Sequence, residues 1–182
     1  MARSIFPSGV SGRRDKSRLN RRQSPLRVRL VPALSVVLGS MLPLLLPLFP
    51  ATPLVPPIGL AFLIAWMTLR PTIWPLWAGF LFGLADDIMS GQPIGSAALL
   101  WSLIILFLHL TDRRLPWRDY LQDWLIASLL LIFAIVGGWF IIGFVHPRPD
   151  FLVLVPQMIV SVLSFPVIVR ITAALDRWRL AR

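Results

Sequence analysis

The chain has 182 residues, is 57% hydrophobic and only 14% charged, and has a mean hydropathy of +0.76. An ordinary soluble domain carries roughly 25% charged residues, so composition excludes a water-soluble globular fold. The net charge of +10 is of the kind nucleic-acid-binding proteins carry, but nine of the 18 basic residues fall within positions 1–29, leaving residues 30–182 at +2. The charge is a tail and not a nucleic-acid-binding face. With no cysteine, the chain has no disulfide, no thiolate metal site and no Cys nucleophile.

Residues 1–29 are rich in Arg, Ser, Pro and Gly without apolar periodicity, which predicts a disordered basic cytoplasmic tail. A secretory signal peptide has a similar outline. Here the basic segment is long, the apolar stretch Leu30 to Pro50 exceeds a usual signal core, and no small-x-small cleavage site follows. Six apolar runs come next: Leu30 to Phe49, Leu54 to Leu69, Thr72 to Ile88, Ile94 to Thr111, Trp124 to Val145 and Phe151 to Leu175. The expectation is an all-α polytopic membrane protein, a bundle of six transmembrane helices over residues 30–175, ending in a short basic tail, 176–182. The second and third runs fall short of the about 20 residues that span a bilayer core of about 30 Å, and Pro71 and Pro75 predict an irregular turn between them. Pro43, Pro47, Pro75, Pro156 and Pro166 predict kinks. Gly79 and Gly83, four apart, and Gly137, Gly138 and Gly143 predict close approach between helices.

Orientation follows from the distribution of Lys and Arg. With the N-terminus in the cytoplasm, 17 of the 18 basic residues lie on that side, among them Arg70, Arg113, Arg114, Arg118 and Arg170, and only Arg148 lies opposite. Both termini are then cytoplasmic. Trp66, Trp74, Trp77, Trp117, Trp124 and Trp178 fall near the same interface, as membrane-anchoring indoles do.

The polar segment with most content is Gly83-Leu84-Ala85-Asp86-Asp87-Ile88-Met89-Ser90-Gly91-Gln92-Pro93-Ile94-Gly95, which closes the third run and opens the fourth. Successive helical residues diverge by about 100°, which argues against a shared metal or acid/base site at Asp86 and Asp87. The other readings are solvated carboxylates, or one carboxylate capping the turn that Gly91 and Pro93 make, with Gly95 allowing tight packing of the next helix. Arg70 lies 16 residues from Asp86, a rise of about 24 Å, so the nearer partners for Asp86 are His146 and Arg148. His109, three residues before Asp112, shares a helix face with it, which favours a hydrogen bond or interfacial exposure over metal binding. Glutamate is absent, and no nucleophile elbow, zinc-protease or phosphate-loop motif occurs, so neither catalysis nor a cofactor is expected. The mixed-charge stretch Thr111 to Asp123 reads as an interfacial helix, a docking point or a topogenic Arg cluster with a Trp anchor.

Gly83-Leu84-x-x-Asp87 ending one span, then Gly91, Pro93 and Gly95 followed by the apolar Ala97 to Leu100, resembles the rod-shape-determining protein MreD family over about residues 30–175. Asp87 takes the position of the family's acidic residue, and Asp86 falls where the family often has a polar amide. The basic head is longer than in the shorter members. The resemblance implies a multi-pass protein of the bacterial inner membrane. It would be a non-enzymatic scaffold of the cell-wall elongation complex, beside MreC, the MreB filament, a SEDS glycosyltransferase and a class-B penicillin-binding transpeptidase. The family is also similar in helix arrangement to substrate-binding subunits of energy-coupling-factor transporters, so a small-molecule-binding subunit is the alternative. In either case its immediate surroundings are the lipid bilayer, with no nucleic acid partner.

Overall fold

The computed structural model describes residues 25–45, 55–114, 119–145, 147 and 150–180, and among them all regular structure is helical. Six helices follow in order: α1 (Pro25–Leu45), α2 (Ile58–Leu69), α3 (Ala78–Ser90), α4 (Ser96–Arg114), α5 (Tyr120–Ile142) and α6 (Leu154–Leu180), the last preceded by a 3-10 turn, Phe151–Val153. Two of them, α5 and α6 with its leading turn, are long and apolar enough to cross a membrane. Shorter apolar helical stretches run over Leu30–Pro43, Ile58–Leu69 and Ser96–Thr111.

The helices α2 and α3 have 12 and 13 residues, about 18 to 20 Å of rise against a bilayer core of about 30 Å. The expected third run from Thr72 becomes helical only at Ala78. Pro71 and Pro75 account for the delay, because each lacks an N–H and restricts the residue before it. Residues 70–77 instead form turns closed by Ile73 N–H to the Arg70 carbonyl and Ala78 N–H to the Pro75 carbonyl, both 3.0 Å. By contrast α1 runs through Pro32 and Pro43, and α6 through Pro166. Pro156 falls in the first turn of α6, where a missing N–H costs least. Pro47 lies outside the described residues.

Helix α2 is apolar on every side, and eight of its 12 residues are buried, which makes it the central element. It packs on α1, α4, α5 and α6, and the core gathers Leu63, Ile64 and Trp66 of α2 with Ile104 and Ile105 of α4, Leu131 of α5 and Phe165 of α6. Trp66 is therefore a core residue and not the interfacial anchor expected of it, whereas Trp77 and Trp178 are exposed. Trp117 lies outside the described residues. Buried hydroxyls bond within their own helices: Ser128 donates to the Trp124 carbonyl, Ser161 to that of Gln157, and Thr172 to that of Ile168.

Contacts between ends fix the relative directions. Arg70, closing α2, pairs with Asp176 near the end of α6, and His109 near the end of α4 reaches the Trp74 carbonyl in the α2–α3 turn. The C-terminal ends of α2, α4 and α6 thus gather at one pole. At the other, Gln157 Nε2, in the second turn of α6, donates to the carbonyl of Val55, just ahead of α2, at 2.9 Å. Helix α1 begins at Pro25 and takes in Arg27 and Arg29, and α6 continues through Leu180. Arg113 and Arg114 end α4, and Arg118 lies outside the described residues. Arg170 sits inside α6, six residues before Asp176, or about 9 Å along the axis, with an exposed side chain.

Candidate functional site

The segment from Gly83 to Ala98 is a helical hairpin closed from within by one carboxylate. Asp87, in the last turn of α3, is 1% exposed. Its Oδ2 accepts from the backbone N–H of Gly95 at 2.8 Å and of Ala98 at 3.3 Å. Its Oδ1 accepts from the Ala97 N–H and the Ser96 hydroxyl, both at 2.8 Å. The first turn of any helix has N–H groups without intrahelical acceptors, together with the positive end of the helix dipole. Asp87 satisfies two such donors of α4, those of Ala97 and Ala98, and the Gly95 N–H just ahead of it, all from a different helix, and these donors in turn compensate its burial.

Three sequence features make this geometry reachable. Gly91 ends α3 with φ +68° and donates to the Asp87 carbonyl at 3.1 Å, and Gly95 has φ +101°, both in the region that disfavours any side chain. Pro93 accepts from the Ser96 N–H at 3.1 Å, closing the turn into α4. The expectation that Gly95 allows tight packing is corrected, since a Cβ there would meet nothing within 4 Å. Its role is the backbone angle. Close packing belongs to Gly79 and Gly83. A Cβ on Gly83 would come within 2.5 Å of the Ala97 carbonyl oxygen and the Ala98 Cα, and one on Gly79 within 2.8 Å of the Trp101 carbonyl oxygen. This contact lets the Asp87 carboxylate reach the α4 backbone. Leu84 is half-buried beside it.

Asp86 turns to a different neighbour, the Ser40 side chain of α1. The glycines of α5 do not act as the spacing suggests. A Cβ on Gly137 would meet only the tip of the Leu100 side chain, and one on Gly138 would meet nothing within 4 Å.

At the opposite pole Asp176 joins Arg70 at 3.1 Å and Arg179, whose Nε donates to Oδ1 at 2.8 Å. The Arg179 guanidinium lies 4.7 Å from the centroid of Trp66, and Trp66 Nε1 donates to the Ser35 hydroxyl at 2.8 Å. This chain ties α1, α2 and α6 together and draws on residues as much as 144 positions apart, which left no local signal to read. His109 donates Nε2–H to the Trp74 carbonyl at 3.1 Å; the side chain of Asp112, with which a shared helix face is expected, lies outside the described residues, as do His146 and Arg148. A cleft of about 1060 Å³ opens beside His109, between the 71–77 turn and α4, walled by Trp74, Leu81, Leu106 and Leu110. The Trp74 indole N–H has no acceptor among the described residues. No group of three or more potential metal ligands forms among the described residues.

No curated protein and no solved structure matches the chain. A family model described as rod shape-determining protein MreD matches residues 26–175, which takes in four of the six helices whole and most of α1 and α6. The matched span contains the Asp87 hairpin in full. The chain therefore belongs to the rod shape-determining protein MreD family, whose members are membrane proteins that act in rod shape determination.

Proposed function

We propose that the chain is a non-enzymatic scaffold of the bacterial inner membrane that supports cell-wall elongation by binding partner membrane proteins. The observation that carries this reading is the use of the family's acidic residue. Asp87 is buried and engaged with four donors of its own chain, a structural role that leaves no carboxylate at this position for chemistry. Gly79 and Gly83 are likewise occupied between α3 and α4, and this reading seats the partner elsewhere.

What the closed hairpin offers outward is apolar. Trp77 just ahead of α3, Phe80 and Leu81 on it and Leu99, Leu103, Leu106 and Leu110 on α4 are exposed and flank the cleft beside Trp74. A partner's single transmembrane helix seated there would cover that stripe. The termini are cytoplasmic in this reading, which puts Arg70 and Asp176 at the inner face and the Asp87 turn at the outer face.

A photoreactive residue at Leu81 or Leu106, with Leu129 of α5 as the comparison site, tests the surface in a host depleted of the native copy. The expected result is restored rod shape and a crosslink to a single-span membrane protein from Leu81 or Leu106 alone. Unchanged shape on depletion, or equal crosslinking from Leu129, contradicts the proposal.

A further inference from the structure

At the pole away from the cleft, a cavity of about 270 Å³ lies among the start of α2, the α3–α4 turn, the end of α5 and the start of α6. Its walls are mainly apolar and include Trp101 and Trp139. The polar groups that line it are Asp86, Gln92 and Gln157. Among the described residues the Asp86 carboxylate has the Ser40 hydroxyl for a neighbour and pairs with no cation. Gln157 uses its Nε2 on the Val55 carbonyl, which leaves its amide oxygen as an acceptor.

This set of groups selects one kind of ligand. A carboxylate in apolar surroundings with a single hydroxyl for company is poorly compensated, and its neighbour Asp87 shows how many donors a buried carboxylate can take up. An anion would be repelled. A primary ammonium brings a positive charge and three N–H donors, matching the carboxylate and the amide oxygen, and indole faces attract a cation further. The volume is below the roughly 300 to 1,000 Å³ of sites for drug-sized molecules and suits a headgroup or a small amine.

We infer that this cavity binds a primary ammonium group, with Asp86 as its counter-charge. The ammonium comes either from an amine-bearing lipid headgroup of the surrounding leaflet or from a free small amine. The site is separate from the α3–α4 face and does not depend on partner docking.

The test uses the full chain, stripped of lipid in maltoside micelles, titrated calorimetrically with dihexanoyl phosphatidylethanolamine, dihexanoyl phosphatidylglycerol and ethanolamine. Two variants address the site from different sides. Asp86→Asn removes the charge and keeps the shape. Gly138→Leu fills the cavity from α5, where an added Cβ meets nothing within 4 Å, and leaves Asp86 intact. The expected result is binding of phosphatidylethanolamine and not of phosphatidylglycerol, weakened about tenfold or more by each variant while unliganded melting stays unchanged. Ethanolamine binding as tightly as the lipid identifies a free amine as the source, and binding of the lipid alone identifies the headgroup. Equal binding of both lipids, or binding that neither variant alters, overturns the inference. So does a native chain that binds nothing while Arg148→Ala binds, because the chain's own arginine would then fill the cavity.

Discussion

Two carboxylates hold the two poles of this bundle, and they do so by different physics. Asp87 is 1% exposed and bonded to backbone N–H groups eight to 11 residues ahead in the same hairpin. Asp176 has a side chain 14% exposed and pairs with Arg70, 106 residues away and itself 51% exposed. Backbone donors in a water-free site are fixed in place and insensitive to salt. A partly exposed carboxylate, by contrast, shares its partners with water and ions. The first pole is a local lock that needs only its own hairpin. The second gathers three helices that must already have met.

Ranked changes can break this contrast, starting with the backbone contact beneath the first pole. Gly83→Leu places a side chain where only 2.5 Å separates a Cβ from the α4 backbone, so the helices must part and Asp87 must lose its donors together. We expect a loss of about 3 kcal/mol or more, read from denaturation in micelles. Asp87→Asn keeps the shape but turns an amide N–H₂ toward N–H donors. It should cost about 2 kcal/mol, equally at low and high salt. Asp176→Asn leaves Arg179, 4% exposed, with its Trp66 stacking contact but without its carboxylate. A loss of about 1 to 2 kcal/mol is expected, smaller at high salt. Arg70→Ala removes only the exposed arm of the pair and should cost about 1 kcal/mol or less, vanishing in about 0.5 M salt. Salt sensitivity at Asp87 equal to that at Asp176 would remove the distinction.

The contrast also explains what could be read in advance. The hairpin was legible because its determinants are close in sequence: glycines four apart, then an acid, then Gly91, Pro93 and Gly95, all within 17 residues. The capping role of one of the two aspartates was among the readings of that segment, but which aspartate turns inward, and toward which helix, depends on α1 and α4 packing on opposite sides of α3. Composition likewise gave an all-helical membrane protein. It overstated α3 because hydropathy scores Ile73, Trp74, Leu76 and Trp77 as helical material, while Pro71 and Pro75 keep residues 70–77 out of the helix. The place of Trp66 near the inferred cytoplasmic interface, four residues before Arg70, predicts an anchor, but a short central helix buries even an indole near its end when four longer neighbours surround it. The Arg70–Asp176–Arg179 group has no periodicity or motif, only a meeting of distant residues.

The claim that the family's acidic residue closes the α3–α4 hairpin is tested most directly by hydrogen exchange of peptides covering Gly91 to Ser102, in the native chain and in Asp87→Asn. The account predicts strong protection at Gly95, Ala97 and Ala98 in the native chain and its selective loss in the variant, with protection in the middle of α4 retained. Unchanged protection at those three amides would mean that Asp87 does not hold the start of α4, and would contradict the account.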